Sequence, residues 1–297
     1  MVLNALQPEK NNETRGRPRK TTAAFDRLLV RKSKATPGAS SSVLKAETNA
    51  KVSARTIRQR LLEANLRARA PRKVPLLRRQ NIKIRTDFAN FHLNVPAREK
   101  ERQWRNILWS DETKIELFGS DGRTFVRRPP NQAFNPKYTK KTVKFGGGNI
   151  MVWGCFSYNG VGPIFKIEGT MTANGYLAIL KDVMLPYAED NMPLLWVFQQ
   201  DNDPKHKSKL VTEWFQRHKI DVLPWPAQSP DLNPIENLWH ELKKSIRREN
   251  ITNKEKLWQE VQRAWYSIPV TTCRRLIDSM NNRCREVLKN KGQATKY

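Results

Sequence analysis

The chain has 297 residues, with 55 Lys and Arg against 28 Asp and Glu, a formal charge of +27 and a sequence pI near 10.3. So large an excess predicts a polyanionic partner, nucleic acid first, on a chain long enough for more than one domain. Three cysteines without a CxxC pair, no apolar run approaching the ~20 residues of a membrane span and no signal-peptide pattern argue against secreted and membrane classes, leaving a soluble protein of a reducing compartment as the expectation.

Charge is concentrated early: residues 1–100 hold 24 Lys and Arg against 7 Asp and Glu. Residues 1–21 are polar and carry Gly16-Arg17-Pro18-Arg19-Lys20. This has the form of an AT-hook, an extended arm that lays Arg17, Pro18 and Arg19 into the narrow minor groove of A·T-rich DNA. The same five residues also read as a solvated basic linker or a nuclear-import patch.

Residues 22–66 predict three short helices. Phe25, Leu28 and Leu29 share a face of the first, Val43 and Leu44 open the second, and Ser53 caps a third whose Ile57, Leu61 and Ala64 point inward. Arg55, Thr56, Arg58 and Gln59 then face out, as a helix-turn-helix recognition helix presents its base-reading residues. An ordinary three-helix bundle with a basic surface fits the same pattern. Residues 67–100 read as a basic interdomain linker: Arg67, Arg69, Arg72, Lys73, Arg78, Arg79, Lys83 and Arg85 lie along phosphates, ahead of a helix with Ile84, Phe88 and Phe91 at core spacing.

Residues 101–297 mix strands and helices. Asn106–Trp109 is a short apolar strand ending at Ser110-Asp111-Glu112, continued by strands at 115–118 and 124–128 around a turn at 120–122. Residues 129–144 form a polar excursion, and three glycines precede a strong strand at 150–156. A helix over 174–185 leads to the strand at Trp196, with Asp201 just past its end. Further helices are expected over 208–217, 234–248, 254–266 and 270–289.

The chemistry narrows to carboxylates. The glycine triplet lacks the GK[ST] of a phosphate-gripping loop, the four histidines show no zinc spacing, and Ser110 has no nucleophile elbow around it. Asp111 and Asp201 each follow an apolar strand, so neighbouring strands would place both at one sheet edge. Two Mg²⁺ about 4 Å apart, held by about three carboxylates, can neutralise and cleave a phosphodiester. Glu236 is the third candidate, although Asn233-Pro234-Ile235-Glu236 equally satisfies a helix cap. Glu236, His240, Lys243 and Arg247 align beside a buried stripe of Ile235, Leu238, Trp239, Leu242 and Ile246, as if DNA passed along this helix. Asp203 and Asp231 compete as ligands or cap turns, and His206 stands near as a possible accessory.

WSDET (109–113), GGGNIMVWGCFS (146–157), VFQQDNDPKH (197–206) and WPAQSPDLNPIENLWHELK (225–243) resemble the catalytic blocks of Tc1/mariner transposases, with 34 residues between Asp201 and Glu236 as in the Tc1-like branch. The resemblance implies an α/β fold: an RNase H-like domain, a mixed sheet flanked by helices, preceded by a small all-α helix-turn-helix domain. It implies Asp111, Asp201 and Glu236 as a DDE triad using two Mg²⁺ (or Mn²⁺) ions. It also implies cleavage at transposon terminal inverted repeats in double-stranded DNA and strand transfer into TA target sites. Residues 117–144 would be a clamp for dimerisation, giving a homodimer in the synaptic complex, and the expected location is the nucleus. Family members carry a further helix-turn-helix ahead of the GRPR arm. Here 15 residues without a helical pattern precede Gly16, so that unit is expected to be missing. A catalytically inactive or domesticated DNA-binding derivative is the alternative expectation, and a hydrolase of RNA–DNA hybrids a third.

Overall fold

A computed structural model describes residues 18–72, 74–96, 98–100, 102–117, 126–139, 147–247 and 251–297. Two compact units divide the chain, 1–73 and 74–297. The first holds helices α1 (Ala23–Ala35), α2 (Ser41–Glu47) and α3 (Ala54–Glu63). Thr22, Ser40 and Ser53 cap them, each side-chain oxygen accepting the backbone N–H three residues on. The core is small: Leu29, Leu44, Ile57 and Leu61, with Phe25, Ala39, Ala50, Val52 and Leu66 packed against it. Ala64, expected inside, is exposed because α3 stops at Glu63 and Asn65 turns the chain with a positive φ.

The second unit begins earlier than the sequence suggests, so residues 74–100 are not linker. Helix α4 (Arg79–Leu93) packs into this unit with Arg85, Phe88, Ala89 and His92 buried. Ile84 and Phe91, expected in the core, are 41% and 70% exposed. Arg85, read as a phosphate contact, is fully buried and ion-paired to Asp231. Its charge is hidden because the buried stripe of α4 runs one residue round from the predicted one.

Helix α5 (Arg102–Arg105) leads into a five-stranded sheet: β1 (Ile107–Glu116), β2 (Asn149–Ser157), β3 (Gly160–Ile167), β4 (Val197–Gln199) and β5 (Asp221–Val222), in the order β3-β2-β1-β4-β5. Strands β1, β2 and β3 pair antiparallel, whereas β4 runs parallel to both β1 and β5. Two predictions fail here. Strand β1 does not end at Ser110: it runs unbroken through Asp111 and Glu112 to Glu116, paired to β2 throughout. Residues 126–128 are not strand, and the expected turn at 120–122 lies outside the described residues. The edge strand β3 had no strand signal because Gly160, Gly162 and Pro163 interrupt it, and an edge strand tolerates the proline.

Helices α6 (Ala173–Ile179) and α7 (Leu185–Asn191) are joined through a π turn, Leu180–Met184, which accommodates Pro186 near the start of α7. Helices α8 (Lys209–Arg217), α9 (Pro234–Ser245), α10 (Lys254–Tyr266), α11 (Val270–Asp278) and α12 (Met280–Lys289) complete the unit, the predicted single helix over 270–289 being interrupted at Ser279. Alternation along the strands gives the sheet two apolar faces. Ile107, Trp109, Ile115, Ile150 and Val152 pack with α4 and α9–α12, while Leu108, Trp153, Cys155 and Phe198 pack with α6, α7 and α8. Among the described residues no helix is long and apolar enough to cross a membrane.

Candidate active site

Three elements bring three carboxylates to one place. Asp111 lies in the middle of β1, opposite Gly154 of β2. Asp201 follows β4, which pairs with β1 over Ile107–Trp109. Glu236 sits in the first turn of α9. Polar ties fix the three elements. The Ser110 hydroxyl donates to the Gln199 carbonyl at 2.8 Å and the Ser110 N–H to the Gln199 side chain at 3.2 Å, locking β1 to β4. Asn233 caps α9 by accepting the Ile235 N–H at 3.3 Å, and its amide donates to the Ser110 carbonyl at 3.4 Å. The cap and the acid are therefore not rival readings of this segment, because the cap is what carries Glu236 to β1.

Asp111, Asp201 and Glu236 line one cavity of about 360 Å³ with Asn202, Asp203, Trp225 and Asn233. A larger cavity of about 730 Å³ adjoins it, walled by Phe88, Phe91, Trp225 and Asp201. Burial, then the charge of Glu236, then those of Glu112 and Asp201, push Asp111 well above the usual carboxylate range. Burial raises Glu236 too, outweighing Lys243. Burial would also raise Asp201, but hydrogen bonds from His206 and the Asp203 N–H outweigh it and hold the group low. A cavity that disfavours the charged form of two of its acids is short of positive charge. Hard carboxylate oxygens fit a divalent cation there, although among the described residues no three His, Cys, Asp or Glu are drawn tight enough to enclose one.

Of the accessory candidates, Asp203 lines the cavity and accepts from Lys205 Nζ at 2.9 Å. Asp231 is no ligand, being taken up by Arg85 and the Thr295 N–H. His206 is buried behind Asp201. Burial would lower its pKa, but Asp201 and Glu112 overcome this and hold it up at about 9. Sequence reasoning missed Glu112, Tyr176 and Gln200, which pack around His206. Only the paired acids of Asp111-Glu112 offered a signal.

The expected DNA contacts are dispersed. Arg55, Arg58 and Gln59 are exposed on α3, while the Thr56 hydroxyl lies 3.1 Å from that of Ser53 within the cap. His240 and Arg247 are exposed, and Lys243 is half-buried. Arg17 lies outside the described residues. Pro18 is exposed, but Arg19 does not project as a hook requires: it pairs with Asp26 at 2.9 Å and Glu63 at 2.8 Å.

A family model described as DDE superfamily endonuclease matches residues 106–258, and one described as transposase matches residues 26–94. The Tcb1 transposase of Caenorhabditis briggsae is 46% identical over 82% of this chain and 88% of its own length. The Tc1 transposase of Caenorhabditis elegans is 44% identical over the same shares. The Tcb2 transposase of Caenorhabditis briggsae is 41% identical over 92% of this chain and all of its own length. In fold, the Mos1 transposase paired-end complex with left transposon end matches with a TM-score of 0.81 at 19% identity, over 96% of this chain and 83% of that one. The sheet is thus the RNase H-like one expected, joined to a helix-turn-helix unit, and the chain belongs to the Tc1-like branch of the Tc1/mariner family of DDE transposases.

Proposed function

We propose that Asp111, Asp201 and Glu236 are the DDE triad of this transposase and hold two Mg²⁺ (or Mn²⁺) ions. The observation that carries the reading is their convergence, from strand, loop and helix, on one cavity that burial and mutual repulsion leave electron-rich. Bound divalent ions supply charge neutralisation at a scissile phosphate and an activated oxygen nucleophile. The protein's part is positional: the Asn233 cap seats Glu236 beside β1, Asp111 is fixed by its pairing with β2, and Asp201 is held from behind by His206. Mos1 complexes with Mg and with Mn support the choice of ions.

The substrate is double-stranded DNA: transposon terminal inverted repeats, cleaved so that their 3′ ends join a TA target. Arg55, Arg58 and Gln59 on α3 suit the major groove. His240 and Lys243 lie on α9, which carries Glu236 in its first turn, Arg247 follows just past its end, and all three suit phosphates. A homodimer in the synaptic complex and action in the nucleus complete the reading. Purified protein with Mg²⁺ and element-end DNA tests it: wild type nicks the end and Asp201→Ala does not. Equal nicking by both removes the triad. Metal-indifferent binding without cleavage by wild type replaces the enzyme with a DNA-binding derivative.

A further inference from the structure

His206 is 3% exposed, yet both ring nitrogens face carboxylates. Its Nδ1 lies 2.7 Å from Asp201 Oδ1, and its Nε2 lies 3.2 Å from Glu112 Oε1. The ring stacks on Tyr176, with centroids 3.9 Å apart and planes 30° from parallel. Tyr176 is fixed in turn, its hydroxyl donating to the Gln200 side chain at 2.7 Å, and the Gln200 amide donates to the His206 carbonyl at 3.3 Å. An imidazole so enclosed cannot rotate without breaking the stack, and it cannot reach a substrate in the cavity.

The bonds on Asp201 are lopsided. Oδ1 receives both His206 Nδ1 and the Asp203 N–H, the latter at 2.9 Å, while Oδ2 receives no hydrogen bond among the described residues. A carboxylate held through one oxygen has its rotamer set and its other oxygen directed. Glu112 is next to Asp111 in β1, and successive strand residues point to opposite faces. It therefore lies with Tyr176 and His206 on the α6–α8 side, away from Glu236.

We infer that His206 is a positioning residue: it fixes Asp201 by Oδ1 and leaves Oδ2 for a cation, while Glu112 anchors His206 and is not itself a ligand. The assignment rests on the triad reading of Asp201. It adds a supporting layer of the sort whose loss typically weakens metal affinity 10–100-fold.

Mn²⁺ affinity of the DNA-free full chain, read from the loss of the free-ion EPR signal, tests the assignment, with unfolding midpoints measured alongside. His206→Phe keeps volume and ring stack but removes the donor, and is made in a Glu112→Gln background so that no buried carboxylate is stranded. It should bind Mn²⁺ roughly 10–100-fold more weakly than Glu112→Gln alone. His206→Asn in the same Glu112→Gln background, whose amide replaces Nδ1, should stay close to Glu112→Gln alone. Glu112→Gln should also stay close to wild type, because the amide keeps the shape of the carboxylate beside the ring and His206 keeps its bond to Asp201. If Glu112→Gln weakens binding as much as Asp201→Asn does, Glu112 is a ligand and the assignment is overturned, whether or not the phenylalanine variant folds. Equal weakening in the Phe and Asn variants, or none in the Phe variant, also overturns it while leaving the triad intact. Wild-type affinity in Asp201→Asn removes the triad reading, and the assignment falls with it.

Discussion

Arg85 grips Asp231 with a two-pronged ion pair, Nη1 to Oδ1 and Nη2 to Oδ2, both at 2.7 Å, and its side chain is fully buried. The same guanidinium donates through Nε to the Gly292 carbonyl at 2.9 Å, and Asp231 Oδ2 also accepts the Thr295 N–H at 2.9 Å. Arg283 donates to the Asp231 carbonyl at 2.8 Å and to the Asn237 side chain at 2.6 Å. Asp231 lies two residues before the Asn233 cap, so α4, α12 and the segment at 292–295 all brace the turn that delivers Glu236. Removing one member of a buried pair strands the other charge. Arg85→Met should destabilise the protein by about 3–5 kcal/mol in urea unfolding, and the double variant Arg85→Met/Asp231→Leu by distinctly less. Equal losses would mean that the pair contributes shape rather than charge compensation.

The same pair sets an acid limit. Burial would raise the Asp231 pKa, but Arg85 and Thr295 outweigh it and hold the group low. A carboxylate lower in the folded state than in the unfolded chain stabilises the fold above the unfolded value of about 4. That stabilisation is lost as pH falls through the folded value. Unfolding midpoints between pH 6 and pH 2 should therefore drop less steeply in Asp231→Asn than in wild type. Parallel curves would place the acid sensitivity elsewhere.

Gly154 should tolerate no side chain. It is opposite Asp111 in the sheet, and a Cβ there would lie 2.7 Å from the Trp239 ring, which stacks on Trp265 with centroids 4.9 Å apart. Gly154→Ala forces α9 outward, at a loss of roughly 1–3 kcal/mol from overpacking. Glu236 rides on α9, so cleavage should fall by more than the loss of folded protein explains. Full specific activity in the folded fraction would contradict this coupling.

Asp111 is uncomfortable without a cation, as its raised pKa records. Asp111→Asn should stabilise the metal-free protein, because the amide carries no charge to be buried beside Glu236 and Glu112. It should also abolish cleavage and the rise in melting temperature that Mg²⁺ gives wild type by mass action. A variant that still gains stability from Mg²⁺ would place the ions elsewhere.

On α3, the exposed Arg58 should act chiefly through phosphate or base contact. Arg58→Ala is expected to lower the log–log salt slope of DNA binding by about 1. Arg19→Ala, which removes partners from Asp26 and Glu63, should change the stability of the helical unit as well as its affinity. An unchanged slope in Arg58→Ala would move the interface off this face.

Local patterns were legible where local physics decides. Ser53 capping α3, Ile57 and Leu61 beneath it, and the stripe from Ile235 to Ile246 all follow from spacing alone. The order of acids along the chain pointed to the cavity. Reading failed where a partner distant in sequence changes what a residue means. Arg85 looked like a surface charge because Asp231 is 146 positions away. Ser110-Asp111-Glu112 looked like the end of a strand because polarity normally marks ends, whereas β2 and the Ser110–Gln199 bonds keep that stretch extended. Glu112 was passed over because nothing in one dimension distinguishes it from its neighbour.

That neighbouring pair shows how finely the sheet sorts chemically near-identical groups. The two acids differ by a single methylene, yet the pleat turns Asp111 toward Glu236 and sends Glu112 to His206. Parity along β1, not intrinsic reactivity, decides which one faces the cavity. A one-codon insertion or deletion between Ile107 and Asp111 would exchange their destinations while leaving every acid in the gene. Such a copy would still look intact to anyone counting aspartates and glutamates, and under the proposed triad it would not cleave.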